Sequence, residues 1–203
     1  MHCPQLNRRV LLGVLGSGLA SRAAGWKRVF DGKSLMGWRA EGNATWLVER
    51  GELVGRQGAG GAEGDLFTEA TWTDFEFECE WRMRFPGNSG VWFRVMGPRT
   101  GYQVDFIDQP SHPGVLSGSV YCMGKAFIAE NRNRASVHVD GWNMLRLRMK
   151  GDHIMVVQNG ITVADVRDTA FSGPGSLGMQ IHKGKAFDGM EVRLRGMRIR
   201  EAV

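Results

Sequence analysis

From Asp74 to Phe85 the chain alternates polar and apolar residues without a break. Phe75, Phe77, Cys79, Trp81, Met83 and Phe85 fall on one face of an extended strand, and Asp74, Glu76, Glu78, Glu80, Arg82 and Arg84 on the other. A helix would scatter these residues around its circumference, whereas successive side chains of a strand point to opposite faces. The next five residues, Pro86 to Gly90, read as a turn. Val91, Phe93 and Val95 then resume an apolar face with Arg94 opposite. The pattern predicts a long hairpin, with one face in a core and a charged face that is either solvated or lines a cleft.

The same period of two recurs along the chain. Thr45–Gly55 forms two short strands around Arg50-Gly51, and Gly101–Asp108 puts Tyr102, Val104 and Phe106 on one face with Gln103 and Asp105 on the other. Gln109–Val139 is long and turn-rich, and is expected to hold a short strand around Ser119–Cys122 and to loop over a cleft. Gly141–Met149 is a further strand. His153–Val166 is a hairpin, because Asn159-Gly160 is a strong two-residue turn signal. Gly175–His182 turns Leu177, Met179 and Ile181 inward and Gln180 and His182 outward, and Met190–Arg200 adds two more alternating stretches. No amphipathic helix is predicted after residue 24. Ten or more short strands in one domain, residues 25–203, predict an all-β fold, a two-sheet sandwich or jelly roll.

Composition fits turns: 29 of 203 residues are Gly and 6 are Pro, and seven Trp with ten Phe supply a core. The net charge of +5 changes meaning once the N-terminus is considered. Arg8 and Arg9 precede an apolar run from Val10 to Ala20, the layout of an export signal, with the paired arginines pointing to the twin-arginine route. Residues 1–24 hold three of the 26 basic residues and no acid, leaving 23 bases against 21 acids. That balance, without a basic stripe carrying interleaved aromatics, argues against nucleic acid as a partner. The expected location is periplasmic or secreted, with no transmembrane segment after signal removal. Cys79 and Cys122 read as small core hydrophobes, a disulfide being the alternative. No CxxC or paired-His spacing suggests zinc, and the glycine-rich stretch 56–64 carries no GK[ST] and opens no helix, so it is not a phosphate cradle.

Candidate chemistry gathers on the polar faces of the strands: Glu80, Arg82, Arg94, Gln103, Asp105, Gln180 and His182. If their strands are neighbours, these groups share one patch. Trp92 stands with Arg94 and suits a sugar platform. The acidic strand lacks the Glu-x-Asp-x-x-Glu arrangement of jelly-roll glucanases, which argues against a two-carboxylate glycosidase. From pattern alone the chain is an exported β-sandwich with a polar, sugar-binding face.

The segments FDGKSLMGW, DFEFECEWR, NSGVWFR, GYQVDFID and GMQIH occur in the order found in the 3-keto-disaccharide hydrolase domain family, and the sequence resembles that family over about residues 26–200. The resemblance implies a concanavalin A-like jelly roll with its site on the concave sheet, acting on carbohydrates already oxidised to a ketone at C3. It carries over Glu80, Arg82, Asn88, Ser89, Arg94, Tyr102, Gln103, Asp105, Gln180 and His182. Where the family commonly has Tyr-Glu-x-Gln, this chain has Tyr102-Gln103-Val104-Asp105. In the chemistry that follows, a base removes the C2 proton, an electrophile stabilises the enolate and an acid assists the leaving group. His182 or Asp105 is the expected base and Glu80 the acid. Arg94, Arg82 or a divalent metal held by Asp105 and Glu80 stabilises the oxyanion, with Arg82, Asn88, Ser89, Trp92, Tyr102, Gln103 and Gln180 binding substrate. No redox cofactor is required. The alternative from another class is a non-catalytic carbohydrate-binding module.

Overall fold

Residues 25–107 and 113–202 are described by the structure, a computed structural model, and the export segment expected at residues 1–24 lies outside them. The first strands are β1 (Lys27–Arg28), β2 (Trp38–Gly42), β3 (Thr45–Glu49), β4 (Glu52–Arg56) and β5 (Gly64–Trp72). The middle of the chain supplies β6 (Phe75–Met83), β7 (Asn88–Val95), β8 (Tyr102–Ile107), β9 (Leu116–Cys122) and β10 (Ala126–Asn131). The last five are β11 (Asn143–Lys150), β12 (His153–Gln158), β13 (Ile161–Arg167), β14 (Gly175–Ile181) and β15 (Glu191–Glu201). Helix among the described residues is limited to two short 3-10 turns, Arg134–Ser136 and Lys185–Phe187, and no helix is long and apolar enough to cross a membrane.

The strands form two antiparallel sheets. One runs β13-β12-β11-β6-β15-β4-β3 with β1 also on β15, and the other runs β10-β9-β8-β7-β14-β5-β2. Their apolar faces pack together. Trp81 of the first sheet stacks on Phe106 of the second with ring centroids 4.0 Å apart, and Phe75 meets Phe93 edge-on. Cys79 and Cys122 lie buried in this core as free thiols.

The predicted faces of β6 and β7 are found, but the predicted hairpin is not. β6 pairs with β11 and β15, whereas β7 pairs with β8 and β14 in the opposite sheet. The segment between them is therefore a corner. Paired side by side, two such apolar strands would expose both apolar faces to the same side; facing each other across the ~10 Å between packed sheets, they bury both. Two smaller differences share a local cause. The C-terminal stretches form one strand, β15, broken only by a bulge between Arg195 and Arg198 that Gly196 permits at φ 63°. In the long 109–139 segment the structure adds β10, paired to β9 through two register shifts that hide its alternation from the sequence. The hairpins at Arg50-Gly51 and Asn159-Gly160 form as predicted, all four residues having positive φ.

Candidate active site on the outer face of the second sheet

Register places the polar residues of β5, β14, β7 and β8 in rows across the second sheet. Asp65 pairs with Gln180, Gln180 with Gly90, and Gly90 with Asp105. One row along, Phe67 pairs with Gly178, then come Trp92, Gln103 and Tyr121. His182 follows Gln180 at the strand end and donates its backbone N–H to the carbonyl of Asn88 at 3.2 Å. A pocket of about 520 Å³ opens here, lined by Asn88, Trp92, Gln103, Asp105, Gln180 and His182, with aromatic walls from Tyr121, Phe127 and Phe187. Its floor depends on Gly90. The Gln103 amide crosses above this glycine and donates to Gln180 Oε1 at 2.8 Å, and a Cβ on Gly90 would stand 2.7 Å from that same Gln103 nitrogen.

Asp105 is the unusual group. Its side chain is buried, its Oδ1 has no hydrogen-bond partner, and no cation pairs with it among the described residues. Burial therefore pushes its pKa well above the usual carboxylate range, which favours the protonated form. His182 is arranged in the opposite sense. Its Nδ1 lies 2.9 Å from the carbonyl of Lys183, which can only accept, so Nδ1 carries a proton and a ring with a single proton keeps its lone pair on Nε2. Phe187 holds the ring edge-to-face at 5.5 Å. Asp65, at the other end of its row, accepts the Trp92 indole N–H at 2.9 Å. Burial raises its pKa to about 6, with Glu63 adding to the effect and the Trp92 hydrogen bond and His182 opposing it.

Several expected site residues are elsewhere. Glu80 and Arg82 lie on the outer face of the first sheet, on the far side of the sandwich from Asp105. Glu80 there accepts from Arg195 at 2.9 and 3.1 Å, and Arg82 sits over the Trp142 ring at 4.8 Å. Glu80 and Asp105 thus cannot share a divalent cation, and neither Glu80 nor Arg82 reaches the pocket. A Glu80→Gln variant should accordingly keep kcat within about twofold and lose less than about 1 kcal/mol of stability, as exposed ion pairs do. A tenfold loss of turnover would place the site on the outer face of the first sheet.

Arg94 is not an oxyanion ligand either, because the chain turns it inward. A bulge opposite Leu177 and a φ of 51° break the alternation, and the guanidinium is buried with 1 % exposure. It donates to the Thr73 carbonyl at 3.0 and 2.8 Å, to the Phe171 carbonyl at 2.8 Å and to Asp74 at 3.0 Å. Arg94→Ala would strand these acceptors, and unfolding in urea should show a loss of about 3–5 kcal/mol. Lys cannot reproduce the fork and should recover little. Ser89 also faces inward, donating to the Gln180 carbonyl at 2.6 Å, and Tyr102 packs on Phe93 while its hydroxyl donates to Asp168 at 2.8 Å. These two are framework. Conversely, Tyr121, Phe127 and Phe187 line the pocket and Asp65 stands at the end of the Gln180 row, and none of the four is singled out from the sequence. Alternation in Gly64–Phe67 puts Asp65 beside Gln180 only once the strand pairing is known.

The sequence matches the 3-keto-alpha-glucoside-1,2-lyase-like domain over residues 25–200. The chain belongs to this 3-keto-disaccharide hydrolase family. A relative named 3-keto-disaccharide hydrolase, from Bacteroides thetaiotaomicron, is 36% identical over 81 residues, which span 35% of this chain and 28% of that protein. Among solved structures, a Bacillus subtilis protein of unknown function with a galectin-like fold superposes with a TM-score of 0.70 at 12% identity, covering 88% of this chain and 99% of the other. The carbohydrate-binding module CBM66 of Bacillus subtilis superposes with a TM-score of 0.64 at 20% identity, over 81% and 96% of the two chains. These two likenesses are of fold, that of a lectin-like, concanavalin A-like sandwich. Within this chain's NSGVWFR segment, Ser89, Gly90 and Arg94 build the sheet while Asn88 and Trp92 face the pocket. Most of that segment is architecture.

Proposed function

We propose that the chain cleaves the glycosidic bond of 3-keto-glycosides in the pocket beside His182 and Asp105. The observation that carries this reading is the buried Asp105 carboxyl, its Oδ1 unpartnered, in a pocket whose lining also includes His182 with its Nδ1 held by the Lys183 carbonyl. A ketone at C3 acidifies the C2 proton, and the C1–O bond is β to the resulting carbanion. His182 Nε2 takes the C2 proton, and the electron pair moves into a C2–C3 enolate. Neutral Asp105 donates a hydrogen bond to the enolate oxygen, a role that a carboxylate could not fill and that low-dielectric burial strengthens. As the C3 ketone reforms, C1=C2 forms and the C1–O bond breaks. The departing alkoxide takes the proton from His182, leaving a 2-hydroxyglycal. Addition of water, hydroxyl to C1 and hydrogen to C2, then gives the 3-keto sugar. The Gln103–Gln180 amide pair and Asn88 bind hydroxyls, and Trp92 and Tyr121 cover the apolar ring faces. The base is thus one of the two groups expected, while the enolate donor moves from arginine or metal to Asp105. No step is assigned to a metal, because the ligand pair foreseen for it is split between the two sheets.

Turnover of 3-keto-trehalose by the purified chain, with and without EDTA, tests this. Release of 3-keto-glucose or its 2-hydroxyglycal is the expected result. A carbohydrate-binding role is the second reading, favoured by the aromatic walls and by the fold shared with CBM66. Saturable binding of unoxidised oligosaccharides without any turnover of keto sugars would establish it instead.

A further inference from the structure

The glycine-rich stretch 56–64 has a definite place in the fold. It leaves β4 at Arg56 and turns back on itself, Gly58 donating to the Ala62 carbonyl at 3.0 Å and Ala62 returning the bond at 3.3 Å. Gly60 and Gly61 make the turn at φ 70° and 76°, and a Cβ on Gly58 would stand 1.8 Å from the Asn43 carbonyl oxygen. The loop is thus closed by its own bonds and packed on the β2–β3 connection. Opposite it lies the segment that carries His182. Residues 183–186 are exposed, so core packing does not orient them. The glycine loop does. The Gln57 amide nitrogen lies 2.9 Å from the His182 carbonyl and 3.1 Å from the Gly184 carbonyl, and both can only accept. Between them, the Gly184 N–H donates to the Gly61 carbonyl at 3.4 Å.

These three bonds hold three consecutive peptide planes. The middle plane contains both the Gly184 N–H and the Lys183 C=O, and in a planar trans peptide the two point in opposite directions. Tying the N–H to Gly61 therefore turns the Lys183 carbonyl away from the glycine loop, to where it meets His182 Nδ1 at 2.9 Å. We propose that Gln57 is a positioning residue for His182. Its amide clamps the peptides on either side of the Lys183 carbonyl, so that this carbonyl keeps the ring proton on Nδ1 and the lone pair on Nε2. The use of that lone pair as a base rests on the reaction proposed above; the clamp does not. Gln57 is not among the residues that line the pocket, and it reaches the histidine only through the backbone.

The test is Gln57→Met, which keeps the length of the side chain and removes the donor. The fold should tolerate the change, because the bonds lost lie in exposed and half-buried loops and Gln57 Oε1 has no partner among the described residues. Ring-nitrogen NMR shifts of neutral His182, assigned by their loss in His182→Ala, should show the Nδ1–H tautomer in wild type and a mixture with Nε2–H in the variant. With 3-keto-trehalose, kcat should fall by about 10–10²-fold while KM stays within about twofold, as for a misplaced group and not for lost substrate binding. An unchanged tautomer overturns the proposal even if kcat falls, since Gln57 would then act through stability alone. A tautomer shift in a chain that cleaves no keto sugar, or with kcat undiminished, upholds the clamp, and only the reaction falls. Should the variant not fold, solvent exchange of the Gln57 side-chain amide protons in wild type decides. Slow exchange together with the Nδ1–H ring upholds the clamp; exchange at the rate of an exposed glutamine, or a wild-type Nε2–H ring, overturns it.

Discussion

His182→Ala is expected to lower kcat for a 3-keto-disaccharide by about 10²–10⁴-fold, the usual contribution of a positioned general base. The expectation follows from the tautomer. With Nδ1 donating to the Lys183 carbonyl, Nε2 is the only basic atom that the ring can offer the pocket. The fold should survive, since the side chain is only part-buried and its ring contact is an edge-to-face one with Phe187. A second readout isolates the step: in D₂O the wild-type chain should exchange the substrate C2 hydrogen, visible by NMR, and the variant should not. Undiminished exchange in His182→Ala would move the base to another group and leave His182 as a wall of the pocket.

The second large effect concerns Asp105. As a neutral hydrogen-bond donor it should be partly replaceable by Asn, whose amide can donate, and not by Leu. Asp105→Leu should lose about 10²–10³-fold in kcat, the cost of removing one preorganised oxyanion donor, and Asp105→Asn distinctly less. Equal loss in both variants would mean that the carboxylate itself is the reactive species, as a base. Stability should separate the two forms as well. The folded pKa of Asp105 is raised above its unfolded value near 3.8 by burial, so the native state holds its proton more tightly than the unfolded state. Its contribution to stability is therefore fully present below about pH 3.8 and is lost as pH rises from there towards the folded pKa. Relative to wild type, Asp105→Asn should gain stability as pH is raised through this range, and urea unfolding at several pH values measures the gain. A difference independent of pH would show that Asp105 titrates normally in the fold.

The arrangement also explains why the two sides of the sandwich differ. On the first sheet each acidic residue of β6 meets an arginine of β15: Glu76 with Arg200, Glu78 with Arg198 and Glu80 with Arg195. Arg146 of β11 adds a second pair to the buried Glu78, so that hydrogen bonds from Arg198 and Arg146 outweigh its burial and hold its pKa low. Paired charges of this kind are well solvated or satisfied and have no chemistry to spare. On the second sheet Asp105 has no cation partner among the described residues, and burial pushes its pKa up instead. Environment, not residue identity, distinguishes the two carboxyls.

What the sequence by itself determined was the side of each strand that faces the core. Phe75 to Met83, Tyr102 to Phe106 and Leu177 to Ile181 were sorted correctly because side-chain direction alternates residue by residue, a local property of extended backbone. Turn chemistry at Arg50-Gly51 and Asn159-Gly160 was equally local and equally legible. Which sheet a strand joins is a matter of pairing between residues far apart in the chain, and alternation carries no record of it. Glu80 and Asp105 are both outward-facing, yet they stand on opposite outer surfaces, because β6 and β7 meet at a corner and not in a hairpin. Arg94 was misplaced for a related reason: a bulge shifts the alternation by one residue, and only the partner strand reveals it. The tertiary structure alone decided that Asp65, Trp92, Gln103, Asp105, Gln180 and His182 form one surface, since register across β5, β14, β7 and β8 sets their neighbours.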